Sequence, residues 1–196
     1  GIITYNLLSN RHKAIIKTTL VKDAQEAAVA AVNKEAPTKA PENLHIGLVA
    51  IKPGTGEILA MYGGQDYLKY QFNAATQGIT SGGSSFKAFT LVAALEEGIP
   101  LSSIWNGDSP KVYDDGIGRP YQVNNYGGEG WGNMSLLTAT EKSVNTIYVP
   151  LGMKAGLEKV VDVARRAGIP DAIEMVASPS VSLGAASPHV IDLANA

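Results

Sequence analysis

Ser84 and Lys87 stand three residues apart in Gly82-Gly83-Ser84-Ser85-Phe86-Lys87, which opens the apolar run 88–95. Glycines close a loop, a serine takes a helix N-cap position, and helical spacing follows until Gly98 and Pro100. The pattern predicts a helix over 84–97 with Ser84 at its cap. Residues three apart share a helix face, so hydroxyl and amine can meet there as an activated serine whose base is a lysine. The positive end of the helix favours a developing alkoxide. A lone Ser-x-x-Lys arises about once by chance in a chain this long, and its plainest reading is a capping serine with a solvated lysine. Ser84 is, however, the only serine here with a lysine three residues on.

A second group follows 59 residues later, Ser143-Val144-Asn145. Acyl transfer through a serine needs a hydroxyl that returns a proton to the leaving amine and an amide that holds the substrate backbone. Ser143 and Asn145 supply those types from one short segment. Taken alone, Ser-x-Asn is an ordinary turn former.

The elements that must position these groups read as follows. Residues 15–20 form a strand at the end of an extended lead-in, and an alanine-rich helix covers 21–35 until Pro37. Residues 44–62 form a hairpin of two apolar strands around Pro53-Gly54-Thr55-Gly56, strands apolar enough for cover on both faces. On the helix after Ser84, Phe86, Phe89, Val92 and Ala93 belong to the core. Residues 105–131 are loop-rich, with turns at Asp114-Asp115-Gly116 and Tyr126-Gly127-Gly128. Helical patterns cover 135–154 and 157–167, and Arg165-Arg166 reads as a solvated helix end.

Composition narrows the chemistry. A chain of 196 residues, 45% hydrophobic, can bury a core. With 16 basic against 18 acidic residues and no run of one sign, nucleic-acid binding is disfavoured. Cysteine is absent, which removes thiol nucleophiles and disulfides. His12, His45 and His189 are scattered singly, against a Ser-His-Asp triad or a zinc site. No apolar stretch reaches membrane-spanning length.

In this order and at this separation, the two motifs resemble the first two signature elements of the penicillin-recognising serine enzymes. The segment from Gly47 to Tyr67 is similar to the hairpin that opens the transpeptidase domain of class A penicillin-binding proteins. Phe72-Asn73-Ala74-Ala75-Thr76-Gln77 and Asn125-Tyr126 resemble the same family, as does Lys17-Thr18-Thr19-Leu20 ahead of the alanine-rich helix. Thr80 and Gly82 depart from it, standing where an arginine and a proline are usual. The resemblance implies an α+β fold, an antiparallel sheet flanked by helices with a helical lobe, of which this chain supplies the first strands. Residues 1–20 would be a lead-in and 21–196 the N-terminal portion of the transpeptidase domain.

The resemblance also implies D,D-transpeptidation of peptidoglycan stem peptides ending in D-Ala-D-Ala, inhibited by β-lactams. Ser84 would be the nucleophile, Lys87 its base, Ser143 the proton relay and Asn145 the ligand of the donor peptide. No metal or organic cofactor is needed. The family's Lys-Thr-Gly or Lys-Ser-Gly strand is not in this sequence. A second polypeptide or a missing segment is expected to carry it, and residues 1–196 alone are expected to be aggregation-prone and unreactive with penicillin. A membrane anchor and a glycosyltransferase domain would place the whole protein at the extracytoplasmic face of the bacterial membrane. Two rivals share the motifs: a serine β-lactamase and a non-catalytic penicillin-sensing module. Val144 instead of aspartate, and Glu174-Met175-Val176-Ala177 without the Glu-x-x-Leu-Asn pattern, disfavour the lactamase.

Overall fold

The computed structural model describes residues 2–6, 13–39, 41, 43–66, 68–115 and 117–196. His12, Tyr67 and Gly116 therefore lie outside the described residues. The chain is mixed α+β and divides into two compact units, one of residues 1–79 with 189–195 and one of residues 80–188. All strand pairs among the described residues are antiparallel.

In the first unit the extended lead-in is itself a hairpin, β1 (Ile2–Asn6) paired with β2 (Lys13–Lys17), so the expected strand at 15–20 starts earlier and ends sooner. Helix α1 (Lys22–Glu35) stops because Ala36 precedes Pro37, whose ring drives the preceding residue out of the helical region; Ala36 has ψ 137°. Strands β3 (Leu48–Ile51) and β4 (Ile58–Tyr62) make the expected hairpin. The outer edge of β4 does not lie open. Thr19 Oγ1 donates to the Ile58 carbonyl (2.7 Å), and the Val21 N–H donates to that of Leu59 (2.9 Å). The Gln25 side chain imitates a neighbouring strand: its Nε2 donates to Met61 O (2.8 Å) and its Oε1 accepts from Met61 N (2.9 Å). Four unpaired strand groups are thus satisfied from the α1 side. Helix α6 (Val190–Asn195) packs against β3.

The second unit is built on three helices, α2 (Lys87–Glu96), α4 (Asn145–Ala155) and α5 (Leu157–Ala167), with the 3₁₀ turn Pro179–Leu183 packed against all of them. Phe86, Ala93, Ile147, Leu151, Val160 and Val181 fill the core between them. Phe86 and Phe89 meet edge to face at 5.0 Å, whereas Val92 is 41% exposed and does not join the core assigned to it by spacing. The region expected to be loop-rich holds two short ribbons, β5 (Ile104–Asn106) with β8 (Asn133–Ser135), and β6 (Lys111–Asp114) with β7 (Pro120–Val123). Strands of three and four residues are too short for alternation to announce them.

The helix expected over 135–154 is broken. Helix α3 (Leu136–Glu141), capped by Ser135 Oγ accepting from Thr138 N, ends before Ser143, whose φ of +53° no helix accommodates, and α4 begins two residues later. Within α4, Pro150 lacks the N–H that would reach the Thr146 carbonyl one turn back. Tyr113 Oη donates to that carbonyl instead (2.8 Å), which fastens the β6 ribbon to α4. Arg165 is not a solvated helix end: its guanidinium donates to the carbonyls of Ile169 (3.2 Å), Pro170 and Ile173 (2.6 Å). Arg166 stays exposed but pairs with Asp162 and with Glu96 of α2.

The loop before Ser84 is held by backbone bonds. Gly82 N donates to Ala186 O (2.8 Å) and Gly83 N to Gly184 O (3.2 Å), while Ser81 Oγ donates to the same Gly184 carbonyl (2.5 Å). A proline at position 82 could not make the first of these. Gly184 has φ +74°, and a Cβ there would lie 2.3 Å from Gly83 O. Both facts demand glycine. Gly184→Ala is therefore expected to lower unfolding free energy by roughly 3 kcal/mol or more, by the sum of left-handed strain and a backbone clash. Urea denaturation of wild type and variant measures it, and a loss under about 1 kcal/mol would show that the loop gives way at little cost.

Candidate active site

Ser84 lies in a 3₁₀ turn, Gly83–Phe86, that runs directly into α2, and makes no side-chain cap bond. This corrects its expected role as an α-helix N-cap. The tighter turn serves the chemistry better, because three residues per turn place i and i+3 in line. Ser84 Oγ and Lys87 Nζ are 3.2 Å apart. Ser84 is exposed while Lys87, the first residue of α2, is only 5% exposed.

Three further oxygens surround the same amine. Lys87 Nζ lies 2.6 Å from the Ser143 carbonyl, 2.8 Å from Ser143 Oγ and 2.6 Å from Asn145 Oδ1. All four residues singled out in the sequence thus meet at one nitrogen. The left-handed backbone of Ser143 lets that residue present both its carbonyl and its hydroxyl to Lys87. Asn145 opens α4, and its Nδ2 donates to the Asn124 carbonyl (2.9 Å), which leaves Oδ1 to face the lysine. Val144, between them, is 1% exposed and packs into the core, so the middle position of the motif presents no group to the site.

The amine's protonation follows from these neighbours. Burial pushes the Lys87 pKa down to about 8, and no carboxylate pairs with it among the described residues. Roughly a tenth of Lys87 is then neutral at pH 7. A neutral amine has two N–H donors and one lone pair. Two of the four oxygens, Ser143 O and Asn145 Oδ1, can only accept, so they take both donors. The lone pair is left for a hydroxyl proton, from Ser84 or Ser143. The Tyr148 ring lies 5.4 Å beneath the amine, with its hydroxyl 2.7 Å from Thr140 Oγ1. Asn124 and Tyr148 carried no signal in the sequence that separated them from turn or core residues, and Asn125 stood out only as part of the Asn125-Tyr126 resemblance, without a role.

Comparison with known proteins places the chain in a family. A family model described as the penicillin binding protein transpeptidase domain matches residues 46–177. The chain belongs to that family. Penicillin-binding protein 1A of Mycobacterium tuberculosis is 35% identical over 95% of this chain and 23% of its own length. The protein of that name from Rickettsia conorii is 34% identical over 77% of this chain and 19% of its own. This chain therefore spans about a fifth of the curated relatives it matches. Among solved structures, the penicillin-binding protein PonA1 from Mycobacterium tuberculosis superposes with TM-score 0.76 at 34% identity, over 90% of this chain and 47% of that one. Penicillin-binding protein 1A from Haemophilus influenzae gives 0.69 at 32%, over 76% and 22%.

The strain at Ser143 separates two effects that usually travel together. Ser143→Gly removes the hydroxyl and relieves the positive φ, so it is expected to raise stability by up to about 1 kcal/mol. Ser143→Ala removes the same hydroxyl and keeps the strain, and should not gain. Parallel thermal and urea melts of the two variants make the comparison; equal stabilities would mean that the +53° conformation costs nothing.

Proposed function

We propose that this chain carries the acylating centre of a D,D-transpeptidase that cross-links peptidoglycan stem peptides. The observation that supports it most is the single buried amine shared by Ser84, Ser143 and Asn145. Neutral Lys87 takes the proton of Ser84 Oγ as that oxygen attacks the carbonyl of the penultimate D-Ala. The tetrahedral oxyanion is held in part by the backbone N–H of Ser84, near the start of α2. Collapse breaks the D-Ala–D-Ala bond, and the proton passes from Lys87 through Ser143 Oγ, 2.8 Å away, to the departing amine. An amine of a second stem peptide then attacks the acyl-enzyme, giving the cross-link and regenerating Ser84. Asn145 binds the donor peptide backbone.

A Lys-Thr-Gly or Lys-Ser-Gly strand from outside residues 1–196 supplies the second oxyanion donor in this reading. Residues 21–196 act as the N-terminal portion of the transpeptidase domain, after a lead-in of residues 1–20. The whole protein joins this centre to a glycosyltransferase domain and a membrane anchor on the extracytoplasmic side. Among the described residues no helix is long and apolar enough to cross a membrane. Susceptibility to β-lactams belongs to the same reading, supported by PonA1, 34% identical, which has been solved in complex with penicillin V.

The test is covalent labelling of the native protein with fluorescent penicillin, together with assay of D-Ala released from a stem-peptide substrate. Label should map to Ser84 and vanish in Ser84→Ala, and Lys87→Ala should slow acylation by roughly 10²–10⁴-fold. The acylation rate should rise with pH and level off above about 8, because the base must be deprotonated and burial lowers the Lys87 pKa to that value. Label on Ser85, or a rate flat between pH 6 and 9, would reject the assigned pair. Labelling without D-Ala release would favour a sensing module.

A further inference from the structure

Helix α4 begins without a cap of its own. Val144 holds the cap position and offers no polar side chain to the first free N–H groups. The duty passes to Asn125, which is 6% exposed and lies 21 residues before the Thr146 it binds. Its Oδ1 accepts from Thr146 N (3.0 Å) and Thr146 Oγ1 (3.1 Å). Its Nδ2 donates to Gly107 O (2.9 Å) and Glu129 O (2.8 Å). Its backbone N–H donates to Ser109 Oγ (3.0 Å), and its carbonyl accepts from Gly128 N (3.0 Å). Both lone pairs and both protons of this amide are therefore used, by three separate stretches of chain. The residue before it, Asn124, turns its carbonyl to Asn145 Nδ2.

We propose that Asn125 is a positioning residue for acylation, fixing the orientation of the Asn145 amide and through it the direction of the Lys87 lone pair. The inference rests on the role of Lys87 as base given above. Asn125 binds the Asn124–Asn125 segment, which follows β7, and the first turn of α4 into one unit, so Asn124 O and Asn145 are held together. While they stay together, Asn145 turns its oxygen to Lys87. Once they part, the Asn145 amide is free to rotate by half a turn and present its NH2. A neutral lysine would then spend its lone pair on that NH2, and Ser84 would lose its proton acceptor. Asn125 itself touches neither Lys87 nor the reacting atoms.

Two measurements on the native protein test this. The first is a titration of Lys87 by NMR, with lysine labelled at Cε, which needs no substrate and so stands apart from the transpeptidase reading. Asn125→Ala should move the Lys87 midpoint by at least half a pH unit from its wild-type value. The second is the acylation rate per competent site, with competent sites counted by end-point labelling. Asn125→Ala should lower that rate about tenfold or more, whereas in an Asn145→Ala background the same change should cost less than about twofold, because the pathway is already cut. Asn125→Ser, which keeps an acceptor for Thr146, serves if the alanine variant folds poorly. Val160→Ala in the α5 core, a destabilising change without contact to this network, should reduce competent sites but leave rate and midpoint alone. An unmoved Lys87 midpoint, or losses that multiply across the two asparagines, would overturn the assignment and leave Asn125 a structural cap. Failure to label Ser84 while the Lys87 midpoint shifts as expected would reject the transpeptidase reading and keep the positioning network.

Discussion

The site in the second unit is arranged around one buried amine that has no anionic partner among the described residues. Removing an ammonium from water without a carboxylate is costly, and the group answers by losing its proton more readily. Neutral oxygens at hydrogen-bonding distance soften that cost without cancelling it. The result is a pKa of about 8, close enough to neutrality for Lys87 to exist in both forms. A general base needs that balance, since the best proton acceptor is one whose pKa lies near the working pH. A carboxylate beside Lys87 would stabilise the charged form and remove the lone pair from use. Val144, the middle residue of the second motif, is buried and carries no charge, and no carboxylate pairs with Lys87 among the described residues.

Each oxygen around Lys87 is delivered by a departure from regular structure. The Ser84 hydroxyl comes from a 3₁₀ turn, the Ser143 pair from a left-handed residue, and the Asn145 oxygen from the first position of a helix that lacks its own cap. Such departures are stable only when surrounding contacts over-determine them. The Gly184 approach fixes the first, the close of α3 and the start of α4 fix the second, and Asn125 fixes the third. Tyr113, answering the carbonyl freed by Pro150, adds a further tie on the same helix. Elsewhere in the unit satisfaction is less complete. The buried hydroxyls of Thr90 and Ser182 find no partner among the described residues, near the close crossing at Gly152.

The sequence disclosed which residues gather more fully than the geometry that gathers them. Ser84, Lys87, Ser143 and Asn145 were legible as a group because their types and spacing match what serine acyl transfer would require, whatever backbone carries them. The helix break at Ser143 was not legible, because Leu136, Ala139, Val144, Ile147 and Leu151 keep near-helical spacing straight across it. Periodicity reports which residues are buried, and both halves bury the same side. Nothing local asks for a positive φ at Ser143; the demand comes from Lys87, 56 residues away. Arg165 was misread, and the structural role of Asn125 went unread, for a related reason. An arginine at a helix end and an asparagine before glycines look like surface punctuation until the carbonyls they bind are brought to them by folding.

The same logic accounts for a hydroxyl and an amide of fixed orientation standing together at the Lys87 amine. An imidazole base has a defined lone pair in the plane of its ring, so a carboxylate behind it suffices to aim it. An amine has no such built-in direction. Its lone pair points wherever its two N–H donors do not, and only acceptors that cannot donate will settle the matter. Ser143 O is such an acceptor by nature, being a backbone carbonyl. Asn145 Oδ1 is one only while its own NH2 is occupied by Asn124 O. In the proposed mechanism a lysine base therefore transfers its directional problem to its neighbours, and the second motif would supply the orientation of that base as well as the relay of its proton.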